Sequence, residues 1–122
     1  MFEHDRLRVF DAVQRLLVEL RKLQAKSPPG FAGLWRHIIE SAESAALNIS
    51  EAGGDGRAGK KVNYFRIGRG SISECAGGIR SLITEGGAKR PDTYKCTELC
   101  ICISRMLKNL ADFWDAERPH KR

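Results

Sequence analysis

From about Asp5 to Gln24, apolar residues recur at Val9, Phe10, Val13, Leu16, Leu17, Leu20 and Leu23. Steps of three and four set them along one wide stripe of an α-helix. Ser27-Pro28-Pro29-Gly30 ends the pattern, because proline cannot continue the backbone hydrogen-bond ladder and glycine accepts a turn. A second helix is expected from about Leu34 to Ala52, with Ile38, Ala42, Ala45, Ile49 and Ala52 on its core face. The alanines make that face thin, so a neighbouring helix can come close. Residues 53–59, Gly-Gly-Asp-Gly-Arg-Ala-Gly, are a loop by composition.

A third helix, from about Lys60 to Thr84, puts Phe65, Gly68, Ile72, Cys75, Ile79 and Leu82 on a regular seam. Gly68, Gly70, Gly77 and Gly78 each cost such a helix about 1 kcal/mol against alanine. That cost implies close contact with another helix; the alternative is a break near Gly77-Gly78. A loop from Glu85 to Pro91 follows, with Asp92 as candidate N-cap of a fourth helix reaching about Asp115. Its seam reads as Cys96, Leu99, Ile103, Met106, Leu110 and Phe113, widened by Cys100, Leu107 and Trp114. The tail from about residue 117 is expected to fray.

Four amphipathic helices with short connections imply an all-α, antiparallel up-down-up-down four-helix bundle, one domain over residues 1–122. Hydrophobic content of 42% and charged content of 30% fit a folded domain rather than a disordered chain. No apolar run approaches the roughly 20 residues of a membrane span. The N-terminal stretch has charges throughout instead of the uninterrupted apolar core of a signal peptide, so a cytoplasmic location is expected, with no membrane partner.

Charge changes the picture. Between Arg57 and Arg90 lie Arg57, Lys60, Lys61, Arg66, Arg69, Arg80, Lys89 and Arg90, opposed only by Glu74 and Glu85. The whole net excess of +6 therefore sits on one segment. Such a field attracts polyanions; the alternative is a solvated face. Arg66, Arg69, Ser73 and Arg80 project to one side of the third helix, as binding groups or as partners of acidic groups across subunit contacts. The candidate nucleic-acid-binding set is Arg57, Lys60, Lys61, Arg66, Arg69 and Arg80.

Other chemistry is thinner. Gly54 to Lys61 imitates a nucleotide-binding loop, but a helix precedes it and Lys61 stands where a magnesium-binding Ser or Thr belongs. What survives is an anion site at the start of the third helix. Cys75, Cys96, Cys100 and Cys102 lack zinc-site spacing, and the first three lie on or beside apolar seams. His4, His37 and His120 are scattered. Asn48 and Glu51 suit helix-end hydrogen bonding or subunit contact better than catalysis, and Glu74 suits an ion pair. No enzyme activity, metal or cofactor is assigned.

Asn48-Ile49-Ser50-Glu51, then Gly56-Arg57, Tyr64-Phe65 and Gly70-Ser71-Ile72-Ser73-Glu74, form a recognisable series, with Leu7 to Ala12 as a matching first-helix opening. The chain resembles the small bacterial four-helix-bundle proteins first noticed in intervening sequences of large-subunit ribosomal RNA genes. The accessory variability determinant of diversity-generating retroelements belongs to the same structural group. Ser50 departs from the usual alanine, Ala52 stands where glycine usually ends the second helix, and the loop after it is longer. The resemblance implies a homo-oligomer, in known cases a pentameric ring. It also implies association with RNA or DNA, and for retroelement relatives a reverse transcriptase partner. On this reading Asn48, Glu51, Gly70, Ser71 and Glu74 are fold and assembly signatures. Two functional expectations follow: a ring that binds nucleic acid, or an interaction scaffold whose basic face meets an acidic protein.

Overall fold

A computed structural model of the chain describes residues 2–54 and 56–119. Four α-helices run in sequence: α1 (Phe2–Ala25), α2 (Ala32–Gly54), α3 (Ala58–Glu85) and α4 (Tyr94–Ala116). Each packs on its two neighbours, α1 on α2, α2 on α3, α3 on α4, and α4 back on α1. This is the expected all-α, antiparallel up-down-up-down bundle.

The core follows from the apolar stripes. Val9, Val13, Leu16 and Leu20 of α1 are fully buried, as are Ile38, Ala42, Ala45 and Ile49 of α2. From α3 come Phe65, Ile72, Cys75, Ile79 and Leu82, and from α4 Ile103 and Leu107. The thin alanine face of α2 meets glycines of α3. A Cβ on Gly78 would lie 2.5 Å from Cγ1 of the buried Ile38, so only a hydrogen fits there. A Cβ on Gly68 would be in ordinary contact, 3.7 Å from the Ala45 carbonyl oxygen. The packing reason therefore holds for Gly78; it does not hold for Gly68, where a methyl would fit, or for Gly70 and Gly77, which face open space. Helix α3 is continuous through Gly77-Gly78.

Several boundaries differ from the periodicity. Helix α1 begins at Phe2 and α2 extends through Gly53 and Gly54. Asp92 does not cap α4: residues Arg90–Thr93 wind into a 3-10 turn that runs directly into it. There the Thr93 hydroxyl donates to the Arg90 carbonyl at 2.7 Å. Helix α3 ends on Gly86, whose φ of 88° is left-handed. The Gly86 and Gly87 amides then close on the Ile83 and Leu82 carbonyls, satisfying groups the helix end leaves open.

The α4 seam is also rotated. Cys100 and Leu107 are buried with Cys96, Ile103 and Leu110, whereas Leu99 and Met106 are half-buried and Phe113 is 53% exposed. Helix α4 ends at Ala116. Of the tail expected to fray, His120, Lys121 and Arg122 lie outside the described residues. Among the described residues, no helix is long and apolar enough to cross a membrane.

Candidate nucleic-acid interface

The six candidate cations do not form one patch. Arg57 and Lys60 stand at the start of α3 and line a shallow depression with Asn63 and Arg118. Asp55, the acidic member of the preceding loop, lies outside the described residues.

Lys61 is turned inward, only 6% exposed. Its Nζ donates to the Ala52 carbonyl at 2.7 Å and lies 4.6 Å from the centre of the Phe2 ring and 5.4 Å from that of Trp114. The ammonium thus satisfies a carbonyl in the last turn of α2, where the helix dipole favours positive charge. A buried cation gains from aromatic faces as well. Arg6 reaches the same helix end, its Nη1 3.5 Å from the Ile49 carbonyl oxygen, while it is held by Glu3 at 2.6 Å. The Arg6 hydrogen bond keeps the exposed Glu3 carboxyl below its ordinary pKa. Lys61 is therefore a fastening between α2 and α3, not a surface cation.

Arg66 pairs with Asp115 of α4 at 3.5 Å, both side chains about half exposed. Arg69 lies one turn further along α3, and its Nε donates to the Ser104 hydroxyl at 3.0 Å. Between α3 and α4 this leaves an open groove of about 330 Å³. Arg69 and Ser73 of α3 and Thr97, Ser104 and Arg105 of α4 supply its polar lining, over a floor that includes Ile72, Ala76 and Cys100. No carboxylate lines it. Small side chains make the space: Ser73 and Ala76 on one wall, Thr97 and Ser104 on the other.

Acidic groups gather at one end. Lys108 holds Asp112 at 2.6 Å, and that hydrogen bond, with the fields of Lys108, Arg66 and Arg69, lowers the Asp112 pKa. Asp115 contacts both Arg66 and Arg118. The Arg66 end of the face is therefore largely neutralised. Among the described residues, Arg69, Arg80, Arg105 and Lys60 form no ion pair. Arg80 is exposed on α3, eleven residues beyond Arg69, about 16 Å along the helix axis.

The motif residues serve the α2–α3 contact in part. Ser71 is buried and its hydroxyl lies 3.1 Å from that of Ser44, while Asn48 Nδ2 donates to the Ser44 carbonyl at 2.9 Å. Gly70 is on the open face of α3. Glu51 and Glu74 are exposed, and among the described residues neither enters an ion pair, including the one expected for Glu74.

The α4 wall was not read from the sequence. Its signal is nevertheless there: Thr97, Ile101, Ser104 and Lys108 step by four, three and four beside the buried Cys100 and Leu107. No group of three or more His, Cys, Asp or Glu side chains suited to a metal ion occurs among the described residues. No protein-family model matches the chain, and no curated protein matches it either.

Proposed function

We propose that the chain is a non-enzymatic, homo-oligomeric bundle that binds the backbone of RNA or DNA along its α3–α4 face. One observation carries this reading: Arg69 and Arg105 stand on opposite walls of a groove whose remaining polar lining is hydroxyl and contains no carboxylate. Guanidinium and hydroxyl groups are those that hold phosphate oxygens. Lys60 and Arg80 extend the same charge along α3. The resemblance to ribosomal-RNA intervening-sequence proteins supports the oligomer, a pentameric ring in known cases, which would repeat the groove in every subunit. Leu47, 61% exposed on α2, and Val18, 53% exposed on α1, are apolar side chains that subunit contact would cover. A second reading, an acidic protein partner, is favoured by the Arg66–Asp115 pair, since carboxylates already dock on this face.

The test is fluorescence anisotropy with labelled RNA and DNA oligonucleotides across a salt series. Affinity should fall at least about tenfold between about 50 and 200 mM salt, because counterion release drives phosphate binding. The double variant Arg69→Glu/Arg105→Glu should lose a further factor of about 100 and flatten the log–log salt slope by about two. Absence of binding at low salt rejects the reading. A partner that survives nuclease treatment and elutes with salt would favour the acidic-protein alternative.

A further inference from the structure

Phosphate contact leaves one part of the α3–α4 groove unexplained. Ile101 of α4 is 46% exposed, yet it lines the groove together with Arg69 and Arg105. Along α3, Arg69, Ser73, Ala76 and Arg80 follow at steps of four, three and four, which puts them on one side of the helix. Helices α3 and α4 are antiparallel, and Arg69 meets Ser104. Moving from Arg69 towards Arg80 is therefore moving from Ser104 back past Ile101 to Thr97. The groove begins at the Arg69 and Arg105 guanidinium groups, continues past Ile101 and the half-buried Ala76, and leads to the exposed Arg80. Guanidinium groups bind phosphate, whereas an exposed isoleucine between them matches an apolar surface on the ligand. We propose that this groove takes single-stranded nucleic acid, its phosphates held by Arg69, Arg105 and Arg80 and an unstacked base lying against Ile101 and Ala76. The inference rests on the reading that the groove binds nucleic-acid phosphate.

The dimensions favour one strand over two. A space of about 330 Å³ between two packed helices is at the small end of ligand sites, which enclose roughly 300–1,000 Å³. It suits a single flat group and not the width of a duplex. In a duplex the bases are paired and stacked inside, so only its phosphates reach the rim of the groove. A strand without a partner can turn a base outward, and every base offers the same kind of flat face. The polar lining beside Ile101 is hydroxyl, from Ser73, Thr97 and Ser104, so the seat accepts a base without selecting its sequence. Duplex DNA carries the denser charge, so phosphate contact alone favours the duplex. A base seat reverses that order. Covering the exposed half of Ile101 with a base strengthens binding by about five- to tenfold.

The test titrates the full-length protein against three labelled DNAs of equal length at about 50 mM salt. They are oligothymidylate, its duplex with oligoadenylate, and a strand of tetrahydrofuran abasic residues, which keeps the phosphates and lacks the bases. Oligothymidylate is expected to bind about five- to tenfold more tightly than the abasic strand, and more tightly than the duplex. Ile101→Ser should remove most of the difference between oligothymidylate and the abasic strand. A duplex that binds as tightly as the single strand, or an abasic strand that matches oligothymidylate, overturns the inference and leaves phosphate binding standing. Full preference for the base-bearing strand in Ile101→Ser overturns the placement of the base. Failure of all three DNAs to bind rejects the underlying reading itself. The comparison of the three DNAs needs no variant, so it stands even if Ile101→Ser folds poorly.

Discussion

Lys61→Met should lower the free energy of unfolding by about 2–3 kcal/mol, whereas Lys60→Met should move it by less than about 0.5 kcal/mol. The two lysines are adjacent in sequence and opposite in environment. Lys61 gives up a charged hydrogen bond to the Ala52 carbonyl and two ring faces. A hydrogen bond from a charged donor contributes about 1.5–3 kcal/mol, and a desolvated cation over aromatic rings about 2 kcal/mol. Methionine fills the same volume and no longer carries a buried ammonium, so the recovered desolvation offsets part of the sum. The Ala52 carbonyl is left without that donor. Urea denaturation followed by circular dichroism measures the difference. Oligonucleotide affinity should respond in the reverse sense, falling for Lys60→Met and holding for folded Lys61→Met. Equal stability of the two variants would show that the fastening contributes nothing.

Gly78→Ala should destabilise the bundle by about 1–2 kcal/mol, while its neighbour Gly77→Ala should stabilise it by about 0.5–1 kcal/mol. Both replacements gain the same intrinsic helix preference. They differ in what the new methyl meets. On Gly77 it finds open space; on Gly78 it would sit 2.5 Å from Ile38 Cγ1 and 3.2 Å from its Cδ1. Ile38 is fully buried and branched at Cβ, so it has few alternative rotamers. Overpacking of this kind costs about 1–3 kcal/mol, enough to reverse the gain in helix preference. Thermal unfolding of the two single variants beside wild type would reveal opposite shifts. Matching shifts would mean that α2 and α3 slide apart without penalty.

These variants also mark where the sequence was readable and where it was not. The bundle was legible because α1, α2 and α3 each carry a single apolar stripe. Helix α4 carries two equally regular ones. Cys96, Leu99, Ile103, Met106, Leu110 and Phe113 alternate by three and four, and so do Cys96, Cys100, Ile103, Leu107 and Leu110. They share Cys96, Ile103 and Leu110, and only the placement of α1 and α3 decides between them. Lys61 was misread because its side chain is a cation, although its position was informative. It lies four residues before Phe65 and seven before Gly68, on the same buried face. Asp92 failed as a cap because the chain turns as a 3-10 segment before the helix rather than entering it from an extended residue. The groove needed two helices at once: Arg69 and Arg105 are 36 residues apart and become opposite walls only when α3 and α4 pack. A close neighbour for α2, by contrast, was legible in its thin alanine face, and α3 is that neighbour.

The junction at the end of α2 has a kinetic side. Phe2 lies 4.9 Å from Trp114 and 6.1 Å from Phe65, ring centre to ring centre, and covers the Lys61 ammonium. Peeling back the first turn of α1 would therefore wet Lys61, loosen its grip on Ala52 and release the start of α3 in the same event. Amide protons near Phe2 to Arg6 and those near Lys61 should exchange with solvent as one cooperative unit, despite the distance between them along the chain. The opening residues, usually the most dispensable part of a domain, become the latch on a segment more than fifty residues downstream.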